Sequence, residues 1–454
     1  MSFAAKYLVY YPIQWLRREP VRQCMRELHS TQFFSPDRLT EWQLALLKNT
    51  LVHAGRTIPY YQRMFRSIGF TPESLKYSED LTKIPFLTKT DLRDHRAELT
   101  DPTYRGVLSS KTTGGSTGQA VTVIKDRVAT GYARGVMWRN YGWWGIEIGD
   151  RQGRLWGIPI TAKQRRRYQL IDYLSNRIRL SSFDFSDDEL FDYYQRLSRF
   201  RPQFLYGYAS MIHEFAAFLE RKNLQFSVPV VVPTSEVLYP HQRELIQRVL
   251  KCRVANEYGC GEVGPIAFEC PSGGTHLMAD NLFIEVLRED GARAGPGEMG
   301  QVIITELHSR AMPLIRYQIM DSVVVGESPC ACGRGLPVIQ QIIGRAYDYL
   351  LSKTGRRFHG EKVMYLLEHL QDQRMGIRNI QIIQDSYTDL KVHILRDGDF
   401  QERAMKAIRE YFVDALGPDL NIEFKFVEAI PRAPSGKFRV VVRNFESHSE
   451  RVES

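Results

Sequence analysis

Two short glycine-bearing stretches carry the residue types that chemistry needs. In Lys111-Thr112-Thr113-Gly114-Gly115-Ser116-Thr117-Gly118, the hydroxyls of Thr112, Thr113, Ser116 and Thr117 are hydrogen-bond donors. Gly114, Gly115 and Gly118 let backbone N–H groups approach phosphate oxygens closely. This is not a P-loop signature, because no Gly-Lys-Ser/Thr follows at the required spacing. Near the C-terminus, Pro431-Arg432-Ala433-Pro434-Ser435-Gly436-Lys437 presents a lysine on a tight turn. A loop that grips triphosphate, with a distant lysine brought to it, suits ATP-dependent activation of a carboxylate. Taken singly, the first stretch also reads as a plain turn and Lys437 as a surface lysine.

Further candidates lie between them. Asn256-Glu257-Tyr258-Gly259-Cys260-Gly261-Glu262 follows a buried strand, where open α/β sheets place ligands. Tyr258 could stack beside an adenine or line an acyl pocket. Glu262 could hold the Mg²⁺ that accompanies ATP, since hard cations take carboxylate oxygens; the plainer alternative is a solvated glutamate on a strand-end turn. Asp321, closing Met312–Asp321, could accept both ribose hydroxyls or simply end a strand at the surface. At Gly344-Arg345 an arginine could reach an α-phosphate or ribose while the glycine allows rotation. Cys270 and His276, with five residues between them, and Cys330 and Cys332, with one, offer three thiolates and an imidazole. That set suits a tetrahedral zinc, and four protein ligands would make the ion structural. Incidental thiols are the alternative.

These residues need a sizeable scaffold. The chain has 454 residues, so two or more domains are expected. Hydrophobic residues are 43% and charged residues 25%, which argues against disorder. A net charge of +9 fits polyanionic ligands or an anionic membrane surface without selecting either. No run of apolar residues is long enough for a spanning helix. Phe3 to Trp15 is apolar-aromatic, but Arg17 and Arg18 follow it, the wrong order for a secretory signal. Residues 1–18 read as a helix packed on the body of the protein, or as an interfacial helix on lipid headgroups. The six cysteines are scattered unevenly, unlike a secreted disulfide framework, so a reducing cytoplasm is expected, with a peripheral position at the inner membrane face as a further option.

Residues 1–100 read as helices. Residues 107–124 read as strand, glycine loop, strand, followed by a helix from Ala129 to Trp144. Strands at Arg154–Ile158, Phe204–Tyr208, Val230–Val232 and Arg253–Glu257 alternate with helices, as in a wound α/β sheet. Ser210 is expected to cap one of these helices through Leu219. Lys163–Arg167 is a basic run, either a solvated loop or a phosphate contact. From Leu282 to Val325 short strands and turns suggest a small β-rich subdomain. Beyond Gly344 comes a compact α+β unit.

The order and spacing of these motifs resemble the adenylate-forming superfamily, which includes acyl-coenzyme A synthetases. Within it the chain is similar to phenylacetate–coenzyme A ligase-like proteins, including relatives associated with capsule polysaccharide clusters. The resemblance rests on Thr113–Gly118, Gly149–Arg151, Tyr206–Ser210, Thr234–Glu236, Tyr258–Glu262, Ile315–Tyr317 with Asp321, Gly344-Arg345 and Pro431–Lys437. It covers about residues 30–445 and implies an α/β N-terminal domain, 1–343, with ATP and acyl sites. A hinge at 344–348 and a mobile α+β C-terminal lid, 349–454, would follow. By the same resemblance the cradle grips the β- and γ-phosphates, Glu262 holds Mg²⁺ and Asp321 the ribose. Arg345 contacts the nucleotide near the hinge, and Ser235, Glu236, Asn256, Glu257 and Tyr258 surround adenine. Lys437 bridges carboxylate and α-phosphate. Some relatives carry a structural zinc on a similar Cys/His set.

The chain also departs from the pattern. Ala120 stands where many relatives have proline. Tyr347 stands where an acidic residue or lysine is common. Lys353-Thr354-Gly355-Arg356-Arg357 replaces the usual Arg-Gly pair of a region that lines the pantetheine tunnel in thiol-acylating relatives. Adenylation of a small or aromatic carboxylic acid is therefore the firmer expectation, with coenzyme A as the default acceptor. The alternative is a nucleotide-binding, non-catalytic partner of a membrane-associated polysaccharide assembly. No motif that reads nucleic acid is visible.

Overall fold

The structure, a computed structural model, describes residues 2–113, 121–156, 169–180, 186–345, 349–354, 357–430 and 439–445. The chain divides into two compact units. One is Met1–Leu238 with Leu245–Ile343, the other Tyr239–Glu244 with Gly344–Ser454.

In the first unit, strands β1 (Leu108–Thr113) and β2 (Val121–Asp126) form an antiparallel hairpin. The remaining strands are β3 (Gln152–Leu155), β4 (Arg177–Leu180), β5 (Phe204–Tyr208), β6 (Val230–Thr234), β7 (Arg253–Val254), β8 (Glu257–Cys260) and β9 (Gly264–Glu269). They continue with β10 (Thr275–Leu277), β11 (Leu282–Leu287), β12 (Met299–Glu306), β13 (Tyr317–Val325) and β14 (Val338–Arg345). All join one sheet in the order β11-β12-β13-β14-β10-β9-β8-β6-β5-β3-β4, with β7 beside β6. Neighbours among β3 to β6, and the pairs of β6 with β7 and β8, are parallel. From β8 to β9 onward the resolved pairings are antiparallel.

The parallel part is covered on both faces, as parallel strands demand. On β6, Val231 packs with Leu205, Ile212, Phe215 and Ile246, while Val230 and Val232 pack with Val136, Tyr141 and Phe204. Gly207 sits where β5 meets β3, and a Cβ there would lie 2.2 Å from the Leu155 carbonyl oxygen, so only glycine permits that approach. The β-rich stretch from Leu282 to Val325 has its own core, in which Leu47, Leu51, Tyr61 and Phe65 meet Val302, Ile304, Tyr317 and Ile319. Its strands are nonetheless hydrogen-bonded into the same sheet path rather than a separate one.

Two expectations need correction. The strand foreseen over Arg253–Glu257 is divided into β7 and β8. Ser210 does not cap its helix: Ala209–Arg221 begins one residue earlier, after Tyr208, with no side-chain cap of its own. The Ser210 amide instead donates to Glu236 Oε2 at 2.8 Å. A carboxylate from another loop thus takes the place of the local hydroxyl, and helix N-termini favour negative charge.

The second unit holds the ribbon β15 (Tyr349–Leu351) with β16 (Arg357–His359), and strands β17 (Ile377–Gln384), β18 (Asp389–Arg396), β19 (Asn421–Phe426) and β20 (Val441–Arg443). These four strands form a sheet in the order β19-β18-β17-β20. Ile380, Ile382, Val392 and Ile394 pack there with Ile408 and Phe412 of the helix Arg403–Leu416. The buried Gln384 amide joins ribbon to sheet, accepting from the Leu351 N–H at 2.8 Å and donating to its carbonyl at 2.7 Å. Among the described residues no helix is long and apolar enough to cross a membrane.

Candidate active site

The hairpin that flanks the glycine loop is tied down at its far end. Asp126, fully buried, accepts from the Ala129, Arg310 and Ala311 amides at 2.9, 2.7 and 3.1 Å. One carboxylate thereby caps the helix Arg127–Trp143 and holds the loop before β13. Thr113 is the last residue of β1; its side chain, Gly114, Gly115, Ser116, Thr117 and Gly118 lie outside the described residues. Lys111 feels the turn after β8: protein atoms strip water from its ammonium and lower its pKa, while Cys260 and Glu262 pull it upward.

Tyr258 meets Asp321, and Glu262 meets Tyr317 of the same strand. The Tyr258 hydroxyl donates to Asp321 Oδ2 at 2.9 Å. The Tyr317 hydroxyl lies 3.4 Å from Glu262 Oε1. All four side chains are buried. Tyr317 and Asp321 share β13, two residues of one face four apart, so a single strand presents both partners.

Arg316 sets the start of that strand. Its Nε and one terminal nitrogen donate to the two Glu285 oxygens, both at 3.0 Å, and the other terminal nitrogen donates to the Ile84 carbonyl at 2.6 Å. Its amide donates to Thr305 Oγ1 at 2.9 Å, and the guanidinium lies over the Phe86 ring, 4.5 Å from its centre. The φ of +51° at Arg316 is strained for a non-glycine residue and is held by these contacts.

The expected adenine-lining run is divided by the pleat. Glu257 and Tyr258 are consecutive in β8 and face opposite sides of the sheet. Glu257 turns to Thr234, whose hydroxyl donates to it at 2.9 Å, and also bonds Tyr141 and Tyr206. Burial raises the Glu257 pKa above the ordinary glutamate value, and those three hydroxyls pull it back down. Beside them the Trp156 and Tyr206 rings stack at 5.5 Å, and the Arg154 guanidinium lies 4.7 Å from the Trp156 ring centre. This aromatic corner occupies the C-terminal ends of parallel strands, a favoured ligand position. Asn256 is tied through its backbone to Glu269. Ser235, just past β6, has a φ of +68° and turns the chain so that Glu236 meets Ser210.

Arg345 ends β14, directly after Gly344 with φ +90°, a region that favours glycine. The Arg345 side chain, Tyr347, the basic run Lys163–Arg167 and Lys437 lie outside the described residues. Sequence reasoning missed Tyr141 near Glu257, and it gave Thr234 and Arg316 no role of their own within the motifs that contain them. Tyr141 carries no local signal, since it comes from a helix far earlier in the chain. A buried glutamate needing donors was the one available hint.

The thiol and imidazole groups also converge. The ligand atoms of Cys270, His276, Cys330 and Cys332 lie within 4.8 Å of one another. Cys270 and Cys330 sulfurs are 3.7 Å apart, and Cys332 Sγ is 3.2 Å from His276 Nε2. A tetrahedral zinc with bonds of about 2.3 Å puts two sulfurs about 3.8 Å apart. His276 Nδ1 meets the Leu336 carbonyl at 2.9 Å, which leaves Nε2 aimed at the thiols. A Cβ on Gly274 would sit 2.6 Å from Cys330 Sγ, so glycine there makes room for the thiol. Burial pushes the Cys270 thiol up to about 11. At Cys332 burial opposes ionisation, but hydrogen bonds from Arg334, Cys330 and Cys270 outweigh it and lower the pKa.

The mixed sheet with a separate α+β unit downstream is a two-domain architecture that solved acyl-CoA ligases share. A crystal structure of 2-hydroxyisobutyryl-CoA ligase in the postadenylation state shares this fold, with a TM-score of 0.72, 18% identity and 93% of each chain covered. Residues 350–444 match the model of the CapK C-terminal domain. Protein CapK of Staphylococcus aureus is 24% identical over 380 residues, covering 81% of this chain and 81% of that protein. The phenylacetate-coenzyme A ligase of Thermus thermophilus is 24% identical over 451 residues, covering 89% and 96%. The chain is thus similar to phenylacetate-coenzyme A ligases along most of its length, and to CapK in its C-terminal part.

Proposed function

We propose that this protein is an adenylate-forming acid–thiol ligase. It activates a small or aromatic carboxylic acid with ATP to an acyl-adenylate, which is then passed to a thiol, with coenzyme A as the acceptor. The observation that carries the reading is the Tyr258–Asp321 hydrogen bond, which unites two separately motivated nucleotide residues next to Glu262. The similarity to phenylacetate-coenzyme A ligases along most of the chain supports it. Asp321, oriented by Tyr258, accepts the ribose hydroxyls. Glu262 would hold Mg²⁺, which when bound would offset phosphate charge. Thr113, Ser116, Thr117 and the glycines among them would grip the outer phosphates. Arg345 would contact the nucleotide beside the Gly344 hinge, and Lys437 would lie between carboxylate and α-phosphate. A carboxylate oxygen attacks the α-phosphorus, the bond to the bridging oxygen breaks and pyrophosphate leaves.

The test is carboxylate-dependent pyrophosphate release across a panel of acids, with the acyl-adenylate identified by mass. Asp321→Ala should weaken ATP binding by about 10–100-fold, the value of hydrogen bonds to a charged group, with the KM for the acid little changed. Tyr258→Phe should cost less, about tenfold at most, because the carboxylate remains. An Asp321→Ala protein with wild-type ATP affinity would remove the ribose assignment.

The cysteine-histidine cluster would hold one structural zinc. Elemental analysis of protein purified without chelator should find one zinc per chain, and Cys332→Ser should lose it and lower the melting temperature. Metal-free wild-type protein with an unchanged melting temperature would refute the site.

A second reading, a nucleotide-binding but non-catalytic partner of a membrane-associated polysaccharide assembly, is favoured by one observation: the exposed apolar side chains of residues 1–18. It requires ATP binding with no pyrophosphate release for any acid.

A further inference from the structure

The N-terminal helical segment is amphipathic the wrong way round. It comprises Ser2–Ala4, a π-helical turn Ala5–Tyr10 and Tyr11–Leu16. Its contacts with the body of the protein are largely polar. Lys6 Nζ meets Glu147 Oε2 at 2.9 Å, the Tyr10 hydroxyl accepts from Trp138 Nε1 at 2.7 Å, and Gln14 is buried. Just beyond, the buried Glu19 carboxylate meets Arg127 at 3.2 Å and Arg134 at 3.0 Å. The large apolar side chains point outward: Phe3, Leu8 and Leu16 are each 72% exposed and Trp15 is 78% exposed. A helix that only needed to pack on its own protein would bury these groups, at about 25 cal/mol per Å².

We infer that this outward face is a docking surface for an anionic lipid bilayer, with Phe3, Leu8, Trp15 and Leu16 seated at the headgroup–acyl boundary. Charge decides between lipid and a second copy of the chain. Arg17, Arg18, Arg22 and Arg26 are exposed and follow the apolar face directly, and among the described residues none forms an ion pair with a carboxylate. The nearby acids are already engaged: Glu19 by two arginines, Glu147 by Lys6 and Glu27 by the Tyr132 hydroxyl at 2.7 Å. The result is an apolar-aromatic ridge with a cationic rim whose neighbouring acids already have partners. Such a rim repels its own copy and attracts anionic headgroups, while Trp and Tyr favour the interface. The inference is independent of whether the nucleotide site turns over.

The test is flotation of the full-length protein with vesicles of phosphatidylcholine, alone or mixed with phosphatidylglycerol. Wild-type protein should float with the anionic vesicles and be released by high salt. Leu8→Ser, Trp15→Ser and Leu16→Ser together should lower the partition by on the order of 10²-fold. Arg17→Glu with Arg18→Glu should lower it by roughly tenfold or more. All these side chains are exposed, so melting temperature and pyrophosphate release, measured on the same preparations, should match wild type. Wild-type protein that stays with the soluble fraction overturns the inference. So does a concentration-dependent dimer, seen by sedimentation, that the triple serine variant abolishes in the absence of vesicle binding.

Discussion

Replacing Lys437 by alanine should cut carboxylate-dependent pyrophosphate release by about 10²–10³-fold, the effect of removing one preorganised donor from a site of developing charge. The carboxylate and the α-phosphate are both anionic, and their approach is opposed until a cation stands between them. The free-energy difference appears as rate because the charge clash peaks in the transition state. ATP affinity should change little, since in the proposed site the cradle, Asp321 and Glu262 would bind elsewhere on the nucleotide. The melting temperature should not change. Acyl-adenylate supplied ready-made should still be consumed, because in the proposed mechanism Lys437 would serve the first half-reaction. A Lys437→Ala protein that releases pyrophosphate at the wild-type rate would remove the mechanism.

Arg316→Met should destabilise the first unit by about 3–5 kcal/mol, the usual cost of leaving one member of a buried ion pair alone. Glu285 would lose both its bonds to the guanidinium, each 3.0 Å, in a region without water to replace them. The Ile84 carbonyl would lose its donor as well. ATP binding should weaken in parallel, because Arg316 immediately precedes the strand that presents Tyr317 and Asp321. The double change Arg316→Met with Glu285→Leu separates the two effects. Stability should return, since apolar replacements of a buried pair are often neutral or better. ATP affinity should return only if β13 resumes its place. Thermal melts with ATP titrations on both proteins read the two outcomes. A single variant that melts with wild type would show that the pair does not hold the strand.

Much of the scaffold was legible locally. The β-branched run before Pro233 marked a strand buried on both faces, and β6 has its alternate valines in two different cores. The helix Arg127–Trp143 and the hairpin around the glycine loop also lie close to where the residue pattern put them. Chemical identity was legible too. Residue type alone picked out Tyr258, Glu262 and Asp321 as candidates, and it picked out Cys270, His276, Cys330 and Cys332, whose ligand atoms converge among the described residues. Local backbone preference and residue chemistry act over a few positions, so one chain suffices to read them.

Partnership was not legible in the same way. Glu257 and Tyr258 are adjacent in sequence but separated by the pleat, so one bonds Tyr141 and the other Asp321. The helix at Ala209 starts where a serine promised a cap, yet its negative charge comes from Glu236 across a loop. Residues 1–18 read as a helix packed on the body or on lipid headgroups, and which side faces the body follows from Lys6 and Tyr10 finding polar partners there. Each of these outcomes depends on strand order and long-range packing. Those are set by the burial of the whole core at once, and no single segment encodes them.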